Sequence, residues 1–401
     1  MGEIEIHRYQ CDMDAAFRRL DADSGVCARN RALICAFTRE RLAKGVGKLR
    51  MVKCIYCLRY LAKWHKKPFE EATKDSLMGL VVAIDNEPLS PASKSDFRAV
   101  LKLFFKWHKG NDEIYPPEVS WIKTTFKKKH KLPEELLTED EVFRIAKAAD
   151  NLRDRALVLV LYETGCRIGE IMSLRLKNVQ FDQYGAVLRV TGKTGDRRVR
   201  IISSAPALSA WMQLHARADN PEAPLWPPLS TNTKYKLNIM EYQRIHKLLQ
   251  ELGVRAGVKK RVYPHLFRHS RATALAGKLT EAQMKEYFGW VQASDMASVY
   301  VHLSGRDVDD ALLALQGLKK PEEEKGDTLK VSTCPRCQER NSPIAKFCLR
   351  CGTPMSIQAS FQIEEEKKVG DELLNKLMQN PEFKEFLFKK ASELGFNGKL
   401  A

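Results

Sequence analysis

The chain has 401 residues, ten cysteines, and 67 Lys/Arg against 50 Asp/Glu, for a formal charge of +17 and a pI near 9.4. That length exceeds the needs of one domain, and the charge points to a polyanionic partner. No stretch approaches the roughly 20 apolar residues of a membrane span, and the acidic start Met1-Gly2-Glu3-Ile4-Glu5-Ile6 is unlike a signal peptide. The expectation is an intracellular protein without a membrane partner, its cysteines serving as thiols or metal ligands rather than disulfides.

Residues 1–128 read as a helical domain, and residues 1–130 carry 25 Lys/Arg and 16 Asp/Glu. Apolar residues recur near the 3.6-residue period over Ala32–Leu42, Leu49–Trp64 and Ala72–Val82. A further helix opens at Ser90-Pro91, an N-cap followed by a first-turn proline, and ends before Gly110. One face holds Phe97, Val100, Leu101, Phe104 and Phe105; the other holds Lys94, Arg98, Lys102 and Lys106, which are candidates for phosphate contacts. Cys54-Ile55-Tyr56-Cys57 mimics a metal knuckle, but it lies within an amphipathic helix and reads as packing. The basic stretch Lys123–Pro133 reads as a linker.

A second domain, 131–318, begins at the capping box Thr138-Glu139-Asp140-Glu141. Its pattern is mainly helical, with an apolar helix at Ala156–Tyr162. Ala186–Val190 and Arg198–Ile202 form one hairpin around the Gly192–Asp196 turn. The fold class is therefore mainly α with a small β-hairpin, an α+β arrangement. The charged segment Lys319–Lys325 separates this domain from a cysteine module at 330–358 and an amphipathic helix at 361–397.

Six residues carry the chemistry. Arg167 lies in Thr164-Gly165-Cys166-Arg167-Ile168-Gly169-Glu170, and Lys193 in Gly192-Lys193-Thr194-Gly195. His265 and Arg268 belong to His265-Leu266-Phe267-Arg268-His269-Ser270-Arg271-Ala272-Thr273; Trp290 follows Gly289, and Tyr300 stands ten residues on. Gly165 can end one helix so that Arg167 opens the next, with Glu170 on the same face to hold its guanidinium. His265 and Arg268, three apart, project from one helical face and can contact two oxygens of one phosphate. His269 is expected behind Arg268 in a structural role. Ser294 can cap the helix of Tyr300, with Met296 and Val299 as packing anchors.

From about Asn30 to about Gly305 these frames resemble the tyrosine recombinase, or phage integrase, family. The resemblance implies a helical core-binding domain at 1–128 and a catalytic domain at 131–318. It also implies a site-specific recombinase that cuts and rejoins double-stranded DNA through a 3′-phosphotyrosyl intermediate, without ATP and without a metal at the reaction centre. Arg167, His265 and Arg268 would grip the phosphate and supply the environment that ionises Tyr300, the nucleophile. Lys193 would protonate the leaving 5′ oxygen, and Trp290 would donate a hydrogen bond. A homo-tetramer on paired sites and a cytoplasmic, nucleoid-associated location follow from the same resemblance. The alternatives are an inactive DNA-binding protein of the same fold, an Xer-like dimer-resolution recombinase, and a type IB topoisomerase, whose size and domain plan fit poorly.

Cys334-Pro335-Arg336-Cys337 and Cys348-Leu349-Arg350-Cys351 are two knuckles at a spacing that lets four thiolates surround one Zn²⁺. They resemble a zinc ribbon, and a ribbon combined with Trp290 resembles archaeal members of the family.

Overall fold

The structure is a computed structural model that describes residues 9–110, 113–126, 133–192, 195–229, 239–301, 312–313, 316 and 329–393. Lys193, the charged segment 319–325 and most of the linker after Phe126 lie outside the described residues. The chain forms two compact units, Met1–Lys131 and Leu132–Ala401.

The first unit is helical: α1 (Tyr9–Asp21), α2 (Ala28–Ala43), α3 (Lys48–His65), α4 (Lys74–Asn86), α5 (Pro91–His108) and the short α6 (Pro117–Ser120). Ser90 caps α5 by accepting from the Ser93 N–H at 3.1 Å, and Pro91 takes the first turn. Phe97, Leu101, Phe104 and Phe105 are buried, and Phe104 packs edge-on to Phe37 and Phe105. Cys54 and Cys57 are buried in α3, and burial pushes the Cys57 thiol up to about 12, so this pair packs the core.

On the basic face of α5 the candidate phosphate ligands have partners within the chain. Lys94 Nζ donates to Asp85 O at 2.6 Å, Lys102 Nζ to Ile122 O at 3.0 Å and Lys106 Nζ to Glu113 O at 3.1 Å; Arg98 pairs with Asp85. Lys102 and Lys106 also lie over the Tyr115 ring at 4.5 and 5.0 Å. Lys102 and Lys106 thus reach carbonyls of the segment that follows α5 and pin it down, while Lys94 and Arg98 reach back to Asp85 at the end of α4.

The second unit is built around α8 (Leu152–Thr164), which is apolar on every side over Ala156–Tyr162 and buried throughout its Ala156–Thr164 turns. It packs against α7 (Glu139–Lys147), α10 (Ala205–Gln213) and α12 (Pro264–Ala276). The capping box expected at Thr138 forms with Glu141. A short α9 (Ile168–Met172) leads to an antiparallel sheet of β1 (Val179–Asp182), β2 (Gly185–Gly192) and β3 (Gly195–Ile201), in the order β1-β2-β3. The expected hairpin is β2–β3, closed by Gly192 opposite Gly195. The added strand β1 is Val-Gln-Phe-Asp with an exposed face, which carries little apolar alternation to announce it.

After α11 (Tyr242–Arg255) and α12 come α13 (Glu281–Phe288) and α14 (Met296–Val301). The cysteine module holds β4 (Ser332–Thr333) and β5 (Arg340–Asn341). The chain then forms two helices where one is expected, α15 (Ile357–Met378) and α16 (Pro381–Glu393). Pro381 has no N–H to continue α15 and disfavours helical backbone at Asn380.

Candidate active site and metal centre

Gly165 ends α8 in left-handed backbone (φ 54°), where an added Cβ would sit 2.5 Å from the Phe288 ring. The chain reverses there, and Arg167 becomes the N-cap of α9, its backbone N–H donating to Glu170 Oε2 at 2.9 Å. Arg167 Nη1 donates to Glu170 Oε1 at 3.0 Å and to Gly289 O at 3.3 Å. Glu170 also accepts from Arg197 Nη1 at 3.1 Å and Nη2 at 2.8 Å. Burial alone would raise the Glu170 carboxyl, but Arg197 and then Arg167 overcome that and hold it below the usual range. Arg197 is only 5% exposed at its side chain, whereas Arg167 is 38% exposed. The carboxylate is thus neutralised from behind by Arg197, which leaves Arg167 to face solvent.

Arg268 extends from α12 into the same corner. Nη1 donates to Gly165 O at 2.9 Å and Nη2 to Phe288 O at 2.8 Å, with the guanidinium over the Phe288 and Trp290 rings. Burial, and then the charge of Arg167, pulls Arg268 down to about 10. Cations so crowded, with one shared carboxylate, favour an incoming anion. His265 keeps solvent access on one side. The protein crowding its other side, followed by the charges of Arg268 and Arg167, holds its imidazole below the usual range.

Tyr300, on α14, is 3% exposed, and its ring stacks on Trp290 at 5.6 Å and 2°. Ser294 Oγ accepts from the Met296 N–H at 3.2 Å at the start of that helix. Met296, expected as an anchor, is 38% exposed; Ala297 takes the buried place. The Tyr300 hydroxyl lies 2.6 Å from His269 Nδ1. This corrects the expectation that His269 sits behind Arg268. Four residues along α12 bring His269 back to the side of His265, whose ring it meets edge-on at 4.5 Å, while Arg268 points about 100° away. The expected cationic environment of the phenol is also reduced. Burial pushes Tyr300 up, and Arg268 is the charge that opposes it.

Residues 135–306 match the phage integrase family. Over 257 residues the chain is 28% identical to the tyrosine recombinase XerA of Pyrococcus horikoshii, spanning 63% of this chain and 84% of that one. It is 27% identical over 248 residues to the tyrosine recombinase XerD of Bifidobacterium longum, spanning 58% and 78%. Among solved structures, the Tn1549 transposon integrase in complex with transposon right-end DNA shares the fold at a TM-score of 0.56 and 15% identity, covering 71% of this chain and 98% of that one. The XerH recombinase in its pre-cleavage complex with difH shares it at 0.53 and 18%, covering 78% and 97%.

The chain carries, at residues 135–306, a tyrosine recombinase domain of the phage integrase family. It is a site-specific recombinase, an enzyme of DNA strand cleavage and rejoining. Its fold, mainly helical with a small antiparallel sheet, is the integrase fold.

Two supports of this recombinase site escape the local motifs. Arg197 stands next to Arg198 in a run that reads as a solvated strand edge, and only strand alternation marks it as inward-facing. Glu163 accepts from the backbone N–H groups of Ile202, Ser203 and Ser204 and so fixes the corner between β3 and α10. Its backbone carbonyl accepts from Arg271 Nε and the Tyr287 hydroxyl. Burial drives the Tyr287 phenol far up, which suits a packing tyrosine rather than a nucleophile.

The recombinase carries one cluster fit for a metal among its described residues. The Sγ atoms of Cys334, Cys337, Cys348 and Cys351 lie within 4.8 Å of one another. The Cys334–Cys351 and Cys337–Cys348 separations are 3.6 and 3.5 Å. A tetrahedral site with metal–sulfur bonds of about 2.3 Å needs sulfurs about 3.8 Å apart, so the four thiols fit one ion. Each knuckle turns through left-handed backbone four residues after its first cysteine, at Gln338 (φ 60°) and Gly352 (φ 70°). Buried Asn341 braces the second knuckle, donating to Cys348 Sγ at 3.6 Å and accepting from the Leu349 N–H at 2.9 Å.

Proposed function

We propose that this recombinase cuts double-stranded DNA with Tyr300 as nucleophile and passes the strand through a 3′-phosphotyrosyl bond. The observation that carries the reading is the convergence of Arg167, His265, Arg268, Trp290 and Tyr300 from four separate elements onto one corner. Arg167 and Arg268, with His265, would hold the non-bridging oxygens, a preorganised positive site worth about 10²–10³ in rate per lost donor. Tyr300 Oη attacks phosphorus, the bond to the 5′ oxygen breaks, and Lys193 supplies that oxygen with a proton. Trp290 packs the nucleophile and can donate its indole N–H to the phosphate. Attack by a partner strand's 5′ hydroxyl reverses the step, so no ATP is needed.

The pattern of charge supports a division into a DNA-gripping unit at 1–128 and a catalytic unit at 131–318. The solved lambda integrase tetramer bound to a Holliday junction, which shares the fold, supports a homo-tetramer on paired sites, and a DNA substrate would put the protein at the nucleoid. The four cysteines would hold a structural Zn²⁺, which suits an all-thiolate tetrahedral donor set. When bound, the ion would tie the two knuckles together, and it takes no part in the strand chemistry.

The test is capture of protein–DNA adducts from cells under denaturing conditions, comparing wild type with Tyr300→Phe. Adducts at one recurring sequence in wild type alone are expected. Adducts that persist in Tyr300→Phe would reassign the nucleophile. Their absence from wild type, with the protein still bound to DNA, would favour a binding protein that does not cut.

A further inference from the structure

Among the described residues, the Tyr300 hydroxyl has one hydrogen-bond partner, His269 Nδ1 at 2.6 Å. The phenol is 3% exposed, and at neutral pH it carries its proton. A buried O–H that donates to nothing is destabilising, because it has given up its bond to water. A neutral imidazole has two tautomers, and only the one with a bare Nδ1 gives this proton an acceptor. Stacking on Trp290 holds the ring in line with that nitrogen. His265 meets the edge of the His269 ring at 4.5 Å from the solvent side, so it can face a phosphate while His269 faces the phenol.

We propose, resting on the reading of Tyr300 as nucleophile, that His269 is the base that takes the Tyr300 proton. As Oη bonds to phosphorus, the O–H bond breaks and its proton passes to Nδ1. The phosphorus–5′-oxygen bond breaks at the same centre, and the departing oxygen receives a separate proton from Lys193. In the resolving step the incoming 5′ hydroxyl attacks phosphorus and gives its proton to the now neutral Lys193, the phosphorus–Oη bond breaks, and His269 returns its proton to the departing phenolate. His265 is thereby left as a phosphate ligand, and the acid–base work divides between His269 and Lys193.

Two measurements test this on the full-length chain. The first is ¹⁵N NMR of the imidazoles, with His269→Gln assigning the resonance. An unprotonated Nδ1 is expected, and a proton on Nδ1 would overturn the proposal. The second is single-turnover cleavage of a nicked duplex built from the sequence recovered in wild-type adducts; wild type failing there would sink the Tyr300 reading itself. His269→Gln should bind this duplex as wild type does and cleave it about 10²–10⁴ more slowly. Placing 3-fluorotyrosine, a more acidic phenol, at position 300 should restore part of that loss. The same replacement should not restore His265→Gln. Cleavage by His269→Gln within a few-fold of wild type, or a loss that the acidic phenol leaves untouched, would assign His269 a packing role instead.

Discussion

Glu170 decides where Arg167 can point, because its buried carboxylate is shared between Arg167 and the still more buried Arg197. Glu170→Gln keeps the shape but leaves Arg197 without its counter-charge. Breaking a buried pair from one side costs about 3–5 kcal/mol, which for a unit of this size is a fall in Tm of roughly 10 °C. The sign with pH follows from the depressed carboxyl. Its contribution is complete above the ordinary carboxylate value of about 4.3 and is lost as pH falls through the lower folded value. Thermal melts of wild type and Glu170→Gln should therefore differ most at neutral pH and converge below pH 4, and an undiminished gap in acid would refute the argument. The adduct yield should fall with the variant as Arg167 loses its anchor. The Arg167–Glu170 contact is legible in the sequence, because three residues on one short helix settle it. The pairings Arg197–Glu170 and His269–Tyr300 are not, because each joins residues about 30 apart whose meeting depends on how the sheet and helices pack.

Capping and turn chemistry fix the elements locally, which explains why α5, α7 and the β2–β3 hairpin can be placed from Ser90-Pro91, Thr138-Glu141 and Gly192–Asp196 alone. What local chemistry does not reveal is where a long side chain ends up. The α5 lysines look solvated in sequence, yet in the structure Lys94 bonds a carbonyl at the end of α4 and Lys102 and Lys106 bond carbonyls of the segment that follows α5. Lys102→Met should accordingly lower the Tm of the protein by a few degrees and leave the salt slope of DNA binding unchanged. A slope reduced by about one would return Lys102 to the phosphate contacts. The cysteine module is a second case, with two-residue strands and few buried apolar side chains to hold it. With the proposed ion bound, its stability would come largely from that ion. Elemental analysis should find one zinc per chain, and a strong chelator should add four reactive thiols per chain. Four thiols that react equally before chelation would show that the cluster holds no metal.

Over the whole molecule, the excess of 67 basic over 50 acidic residues is spread unevenly. Residues 1–130 carry a net +9, residues 131–318 a net +6, and the remainder only +2. An active site can neutralise one phosphate, so most of this charge has no use in the reaction itself. Distributed over both units, it suits the proposed grip on duplex DNA, in which each unit would displace counterions from the backbone. A clamp that neutralises roughly 6–10 phosphates loses about 10³–10⁵ in affinity between 50 and 200 mM salt. The proper test is a salt titration of full-length Tyr300→Phe on duplex DNA, because that variant cannot trap the complex covalently. A steep, linear fall of log affinity with log salt is expected on any sequence, with the recombination site displaced upward by its base contacts at the same slope. A slope near one or two would mean that the catalytic corner alone touches the backbone, and that the charge of the first unit serves its own folding, as its α5 side chains already do.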